Sequence, residues 1–218
     1  MKEKDFLYLY AHKAIQTNGI KSKYGYEGDK VVSSDCRRCL HENPGGEPAF
    51  ESRGHAFHEC PTVLALWIQV LSWLQKLCPG LALSDDANQL LLAWPETDDL
   101  PEIALHIHSA ATHAIWRTYC KLGDKEKLYR DQLITMTVFA IKERAKVELA
   151  RAQYRDQERH NKATTGVEWR VLAVEPDMFY NKMKEEWHHP PHISVAKTGV
   201  TFGGMWDLSE EETEPAEE

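Results

Sequence analysis

No run of eighteen apolar residues occurs along the 218-residue chain, so it lacks the length of apolar helix that crosses a bilayer. Its start, "MKEKDFLYLYAHK", has charges at both ends of a short apolar patch and no small-residue cleavage site, unlike a secretory signal. These features predict a soluble intracellular protein, nuclear or cytoplasmic, with no membrane partner. Internal repeats are also lacking. The glycines of "GVTFGGMW" have neither the Lys-Ser/Thr pair nor the following helix that a phosphate loop needs. Cysteine is scarce, with five in all, an odd number that does not suit a framework of disulfides. Net positive charge is missing too. The formal charge is −8, but the tail "DLSEEETEPAEE" carries seven acidic residues, which leaves −1 for Met1 to Trp206. The body is balanced, and the tail reads as solvated and disordered because it has too little apolar surface to offset chain entropy.

The chain does contain strong helical patterning. With 42% hydrophobic and 28% charged residues, it can bury a real core. A first helix is expected in 1–19, ended by Asn18-Gly19. "PTVLALWIQVLSWLQKLCPG" begins with Pro61 and stops at Pro79-Gly80. It carries two apolar stripes, Leu64, Trp67, Ile68, Leu71 and Leu74 beside Val63, Leu66, Val70, Trp73 and Leu77, which predicts burial on two sides. Pro101 to Asp124 predicts another helix, and a long one follows from about Lys125 to about His160. After Gly166, glycines among β-branched and aromatic residues predict short strands. The fold class is therefore mainly α, with a small metal knuckle and short β segments near the C-terminus. The expected organisation is an N-terminal helix at 1–19, a zinc-binding segment at 20–61 and a helical core at 62–162 that ends in the long helix. A mixed extension at 163–206 and the acidic tail at 207–218 complete it.

Three of the cysteines cluster in "DCRRCLHENPGGEPAFESRGHAFHECP". Cys36-x2-Cys39 is a metal half-site, since two thiolates on one tight turn can face one Zn²⁺. His55 and Cys60 complete Cys-x2-Cys-x15-His-x4-Cys. His58 and His41 compete with His55, each only two positions from a cysteine, and buried thiols without any ion are the plain alternative. With four protein ligands the site has no position left for an activated water, so one structural Zn²⁺ per chain is expected, and no enzyme. Cys78 and Cys120, within apolar helical patterns, read as small buried hydrophobes. Two further histidine groups, His188, His189 and His192 in "HHPPH" and His106, His108 and His113 in "HIHSAATH", lack a carboxylate at motif spacing and make a poor hydrolytic centre.

"DCRRC", "HAFHECPTVLALW" and "AIWRTYCK" together resemble the zinc-binding region that follows the polymerase domain in non-LTR (LINE-type) retrotransposon reverse transcriptases, fungal-like copies in particular. His55, Phe57, Cys60, Pro61 and Trp67 match that pattern in order, and the likeness spans Lys4 to Lys121. The gap from Cys39 to His55 is longer than the family's usual one. The resemblance implies a nucleic-acid-engaging accessory, RNA or DNA, with no polymerase aspartates of its own. Phosphate contacts are expected from Lys21, Lys23, Lys30, Arg37 and Arg38 near the knuckle and from Lys142, Arg144, Lys146, Arg151 and Arg155 on the long helix. A zinc-scaffolded protein-interaction module, a retroelement remnant, is the other expectation.

Overall fold

The computed structural model describes Thr17 and residues 33–42, 47, 49–79, 101–121, 130–164 and 177–207. The predicted first helix and nearly all of the acidic tail lie outside these residues, except that Thr17 is described and buried. The chain forms two compact units, Met1–Ala140 and Ile141–Glu218.

The first unit is built from helices α1 (Arg37–Glu42), α2 (Pro61–Leu77) and α3 (Glu102–Lys121), a π-helical turn at His55–Glu59, and the beginning of α4 (Arg130–Thr164). α2 starts where the sequence predicts, with Pro61 in its first turn and the amides of Val63 and Leu64 donating to the Cys60 carbonyl at 2.9 and 2.8 Å. It buries Val63, Leu66, Trp67, Val70, Trp73, Leu74 and Leu77, the face that meets α3. The expectation of burial on both sides is corrected here, because Leu64 and Ile68 stay 36% and 60% exposed. α3 answers with Ile103, Ile107, Ala111, Ala114 and Ile115, whose spacing of three and four residues makes one apolar stripe. Its buried threonines return their hydroxyls to their own helix, Thr112 to the His108 carbonyl at 2.9 Å and Thr118 to that of Ile115 at 2.8 Å. Cys78 is buried as expected, and burial raises its thiol pKa; Cys120, by contrast, is exposed.

In the second unit the later part of α4 presents Ile141, Ala145, Leu149 and Ala152 along one face. Helix α5 (Met178–Trp187) and a hairpin of β1 (Ile193–Ala196) and β2 (Gly199–Phe202) complete it, with Tyr180, Met183, Trp187, Ile193, Val195 and Trp206 buried. The strands are antiparallel, pairing Ile193 with Phe202 and Ala196 with Gly199. Gly203 is required where the chain leaves β2, since a Cβ there would lie 2.6 Å from the Pro191 carbonyl oxygen. The histidines of "HHPPH" serve this hairpin: His188 Nδ1 accepts from the Val195 amide at 3.1 Å, and His192 and His189 bond through their backbones.

α5 has no cap from its own flank. Asp177, at φ 61°, makes no capping bond, and the carboxylate of Asp156 on α4 accepts instead from the Phe179 and Tyr180 amides at 3.1 and 2.9 Å. Asp156 thus does from a neighbouring helix what a cap residue does locally. Asp156→Ala is expected to lose about 1 kcal/mol, as a lost N-cap does. Thermal unfolding of the variant checks this, and a melting temperature equal to that of the parent would contradict it.

Candidate metal centre

The site is assembled from two short turns. Asp35 pairs with Phe50 in an isolated bridge, and the flanking bonds, Cys36 N–H to Ala49 O and Glu51 N–H to Ser34 O, both 2.8 Å, fix where the chain enters α1. One helical turn then sets Cys36 and Cys39 on the same side, three residues apart. The second half needs a different device, because positions five apart on an α-helix are about 140° apart around the axis. The π turn supplies it. The Cys60 amide donates to the His55 carbonyl at 2.9 Å, an i to i+5 bond that returns Cys60 above His55. At its start the Ser52 hydroxyl accepts from the His55 amide at 2.9 Å.

The four ligand atoms of Cys36, Cys39, His55 and Cys60 lie within 4.8 Å of one another. Cys60 Sγ is 3.9 Å from both Cys36 Sγ and Cys39 Sγ, and Cys39 Sγ is 3.3 Å from His55 Nε2. A tetrahedral ion with metal–sulfur bonds of about 2.3 Å and metal–nitrogen bonds of about 2.0 Å has edges of about 3.8 and 3.5 Å. The cluster therefore has the size of one tetrahedral coordination shell, and it can hold one metal ion. Cys36 and Cys60 are fully buried and His55 is 7% exposed. The hydrogen bond between Cys36 and Cys60 divides their titration: together with burial it raises the Cys36 thiol, while it lowers Cys60. His55, Arg38 and Thr62 also favour the Cys60 thiolate, against burial.

Packing around the ligands explains the remaining residues of the motif. Trp67 donates its indole N–H to the Phe57 carbonyl at 2.7 Å, which ties the π turn to α2. Phe57 stacks on Trp116 of α3, and Trp116 on Tyr119. His58, the competing ligand, is buried against the face of Trp67, whose ring also lies against His108. Burial, helped by His108 and Arg53, lowers the His58 pKa to about 4, so it is a neutral core residue at physiological pH. His55 is the histidine that meets the cysteines. Among the described residues no other group of His, Cys, Asp or Glu gathers closely enough for a metal.

Arg38 departs from its expected role. It is 3% exposed, with its two amino groups donating to the Ala56 carbonyl at 2.7 Å and the Ile115 carbonyl at 3.0 Å, so it cannot present its charge to phosphate. Its guanidinium lies 5.6 Å from the centre of the Tyr119 ring, and the Tyr119 hydroxyl donates to the buried Glu51 carboxylate at 2.6 Å. Glu51 and Tyr119 were not foreseen, since no periodicity marks a buried carboxylate in a loop. Lys142 is also engaged inside its unit, donating to the Trp206 carbonyl at 3.0 Å. Lys146 and Arg151 pair along α4 with Glu143 and Glu148, and Arg155 lies over the Phe179 ring. Arg37 and Arg144 are half-buried, whereas Lys21, Lys23 and Lys30 lie outside the described residues.

No protein-family model, curated protein or solved structure matches the chain. The chain is mainly helical, its Cys3His cluster could hold one metal ion, and no described helix is long and apolar enough to cross a membrane.

Proposed function

We propose that the chain is a zinc-stabilised helical module that engages nucleic acid and has no catalysis of its own, in the manner of the accessory region that follows the polymerase domain of LINE-type reverse transcriptases. The observation that carries the reading is the closed Cys3His cluster of Cys36, Cys39, His55 and Cys60. Three thiolates and an imidazole at tetrahedral spacing suit Zn²⁺, and four protein ligands fill its coordination, which makes the ion a structural one. The likeness to the retroelement region gains support from where its residues meet. His55 and Cys60 are ligands, Trp67 bonds the turn that carries them, and Trp116 and Tyr119 of "AIWRTYCK" pack behind it.

Contacts to RNA or DNA would come from the cations exposed on α4, Lys146, Arg151 and Arg155. Each phosphate neutralised releases counterions, so log K should fall linearly with log salt, by about 0.7 per contact on a single strand and about 0.9 on a duplex. Binding of the zinc-loaded protein to RNA, single-stranded DNA and duplex DNA across a salt series is expected to show such a slope. Charge-reversal variants of Arg151 and Arg155 should reduce it. No binding at low salt would refute the nucleic-acid reading and leave its rival, a zinc-scaffolded module that binds protein. The exposed pair Leu64 and Ile68, one turn apart on α2, is the feature that favours that rival.

A further inference from the structure

The two halves of the metal cluster are far apart in sequence, one on α1 and the other on the π turn. Metal bonds can join them only if both are already near their final positions, or else binding must also drive that ordering. One side chain spans the gap. Arg38 sits between the ligands Cys36 and Cys39, and its guanidinium reaches the carbonyl of Ala56, the residue next to the ligand His55. Its other amino group reaches the Ile115 carbonyl on α3, a helix that contributes no ligand. The planar fork suits this task, because it delivers two fixed N–H directions at once, whereas a lysine ammonium is a point charge on a flexible stem. The Tyr119 ring of α3 lies against the fork, and its hydroxyl is held by the Glu51 carboxylate from the loop before the π turn.

We propose that Arg38 is the positioning residue of the metal centre: by bridging the carbonyls of Ala56 and Ile115 it sets the Cys36–Cys39 turn against the His55–Cys60 turn, so that α3 governs how firmly the ion is held. The inference rests on the metal-centre reading above. It differs from a general contribution to stability in one respect. An ordinary core residue of α3 supports the fold without fixing the distance between the two ligand pairs, whereas Arg38 does both. Residues that orient metal ligands from outside the coordination shell change affinity by about 10- to 100-fold when replaced.

The test uses the full chain loaded with Zn²⁺ or Co²⁺. Metal affinity is measured by competition with a chromophoric chelator, and the Co²⁺ absorption bands report thiolate ligation and tetrahedral geometry. Arg38→Met and Arg38→Lys are compared with Ile103→Ala, a fully buried position about three turns away on α3 that touches neither carbonyl. Both Arg38 variants are expected to lose about 10- to 100-fold in affinity, with weakened tetrahedral Co²⁺ bands. Ile103→Ala should lower the melting temperature yet lose markedly less affinity than the Arg38 variants and keep the tetrahedral Co²⁺ bands, on the additivity expected for distant sites. Arg38→Lys preserves the charge and the stem; if it alone folds, it carries the comparison. Arg38 variants that bind as tightly as the parent would overturn the proposal while leaving the metal centre intact. An equal loss in Ile103→Ala would overturn it as well, since α3 would then act only through overall stability. A parent protein that binds neither ion would instead refute the metal-centre reading itself, and the role of Arg38 with it.

Discussion

Stripping the metal with a chelator should unfold the region around the ligands and loosen the start of α2, with loss of helical circular dichroism that returns on adding Zn²⁺. The reason is the scale of the energies. Structural zinc contributes on the order of 10–16 kcal/mol of apparent binding free energy, which becomes folding free energy where the unfolded chain has no site. A whole domain is stable by only about 5–15 kcal/mol. Three clustered sulfurs, two of them fully buried, left without an ion would also have to share protons or repel one another. Cys60→Ser and His55→Ala are expected to mimic the chelator. His58→Gln should retain one ion per chain, since His58 lies against Trp67 and not among the ligands. Elemental analysis alongside circular dichroism would decide the matter: metal leaving at constant helicity would end the structural role.

Replacing Trp67 by Ala should be nearly as damaging. The side chain is fully buried, and Trp to Ala in a core costs about 3–5 kcal/mol. The change also strands the Phe57 carbonyl, and an unsatisfied buried acceptor costs about 1–3 kcal/mol more. Trp67→Phe is the milder change, because it keeps an aromatic face toward His58 and His108 while removing the N–H donor and the volume of one ring. Denaturant unfolding of the metal-loaded proteins should rank parent above Trp67→Phe above Trp67→Ala. A Phe variant as stable as the parent would show that the bond to Phe57 contributes nothing.

The four residues of the cluster were legible in the sequence because metal chemistry constrains spacing: Cys-x2-Cys fits one helical turn, and His55 stands at a workable interval from Cys60, whereas His58 and His41 are only two positions from a cysteine. What the spacing did not reveal was that the closure is a π turn, since an i to i+5 bond leaves no periodic trace over five residues. Helix α2 was readable from Pro61 to its stop, but its apolar pattern overstated burial. Leu64 and Ile68 belong to a stripe as apolar as the buried one, and only packing partners tell the two apart. Arg38 illustrates the opposite limit. A cation beside two cysteines reads as a phosphate contact until the carbonyls of Ala56 and Ile115, which no side-chain pattern announces, are seen to take its protons. The histidines of "HHPPH" were set aside as a metal centre for want of a carboxylate, and His188 accepts a strand amide instead.

The reach of Arg38 also sets an order of events during synthesis. Cys36 and Cys60, the outermost ligands, are 24 residues apart, whereas the bond from Arg38 to Ile115 closes over 77. Loop-closure entropy makes the longer connection costlier by about 1 kcal/mol, a modest difference. Timing matters more. On a ribosome the complete ligand set leaves the exit tunnel well before α3 has been translated, so an ion can be captured by a nascent chain that does not yet have its clamp. Metal acquired early would be exchangeable, and it would become slow to leave once Ile115 arrives.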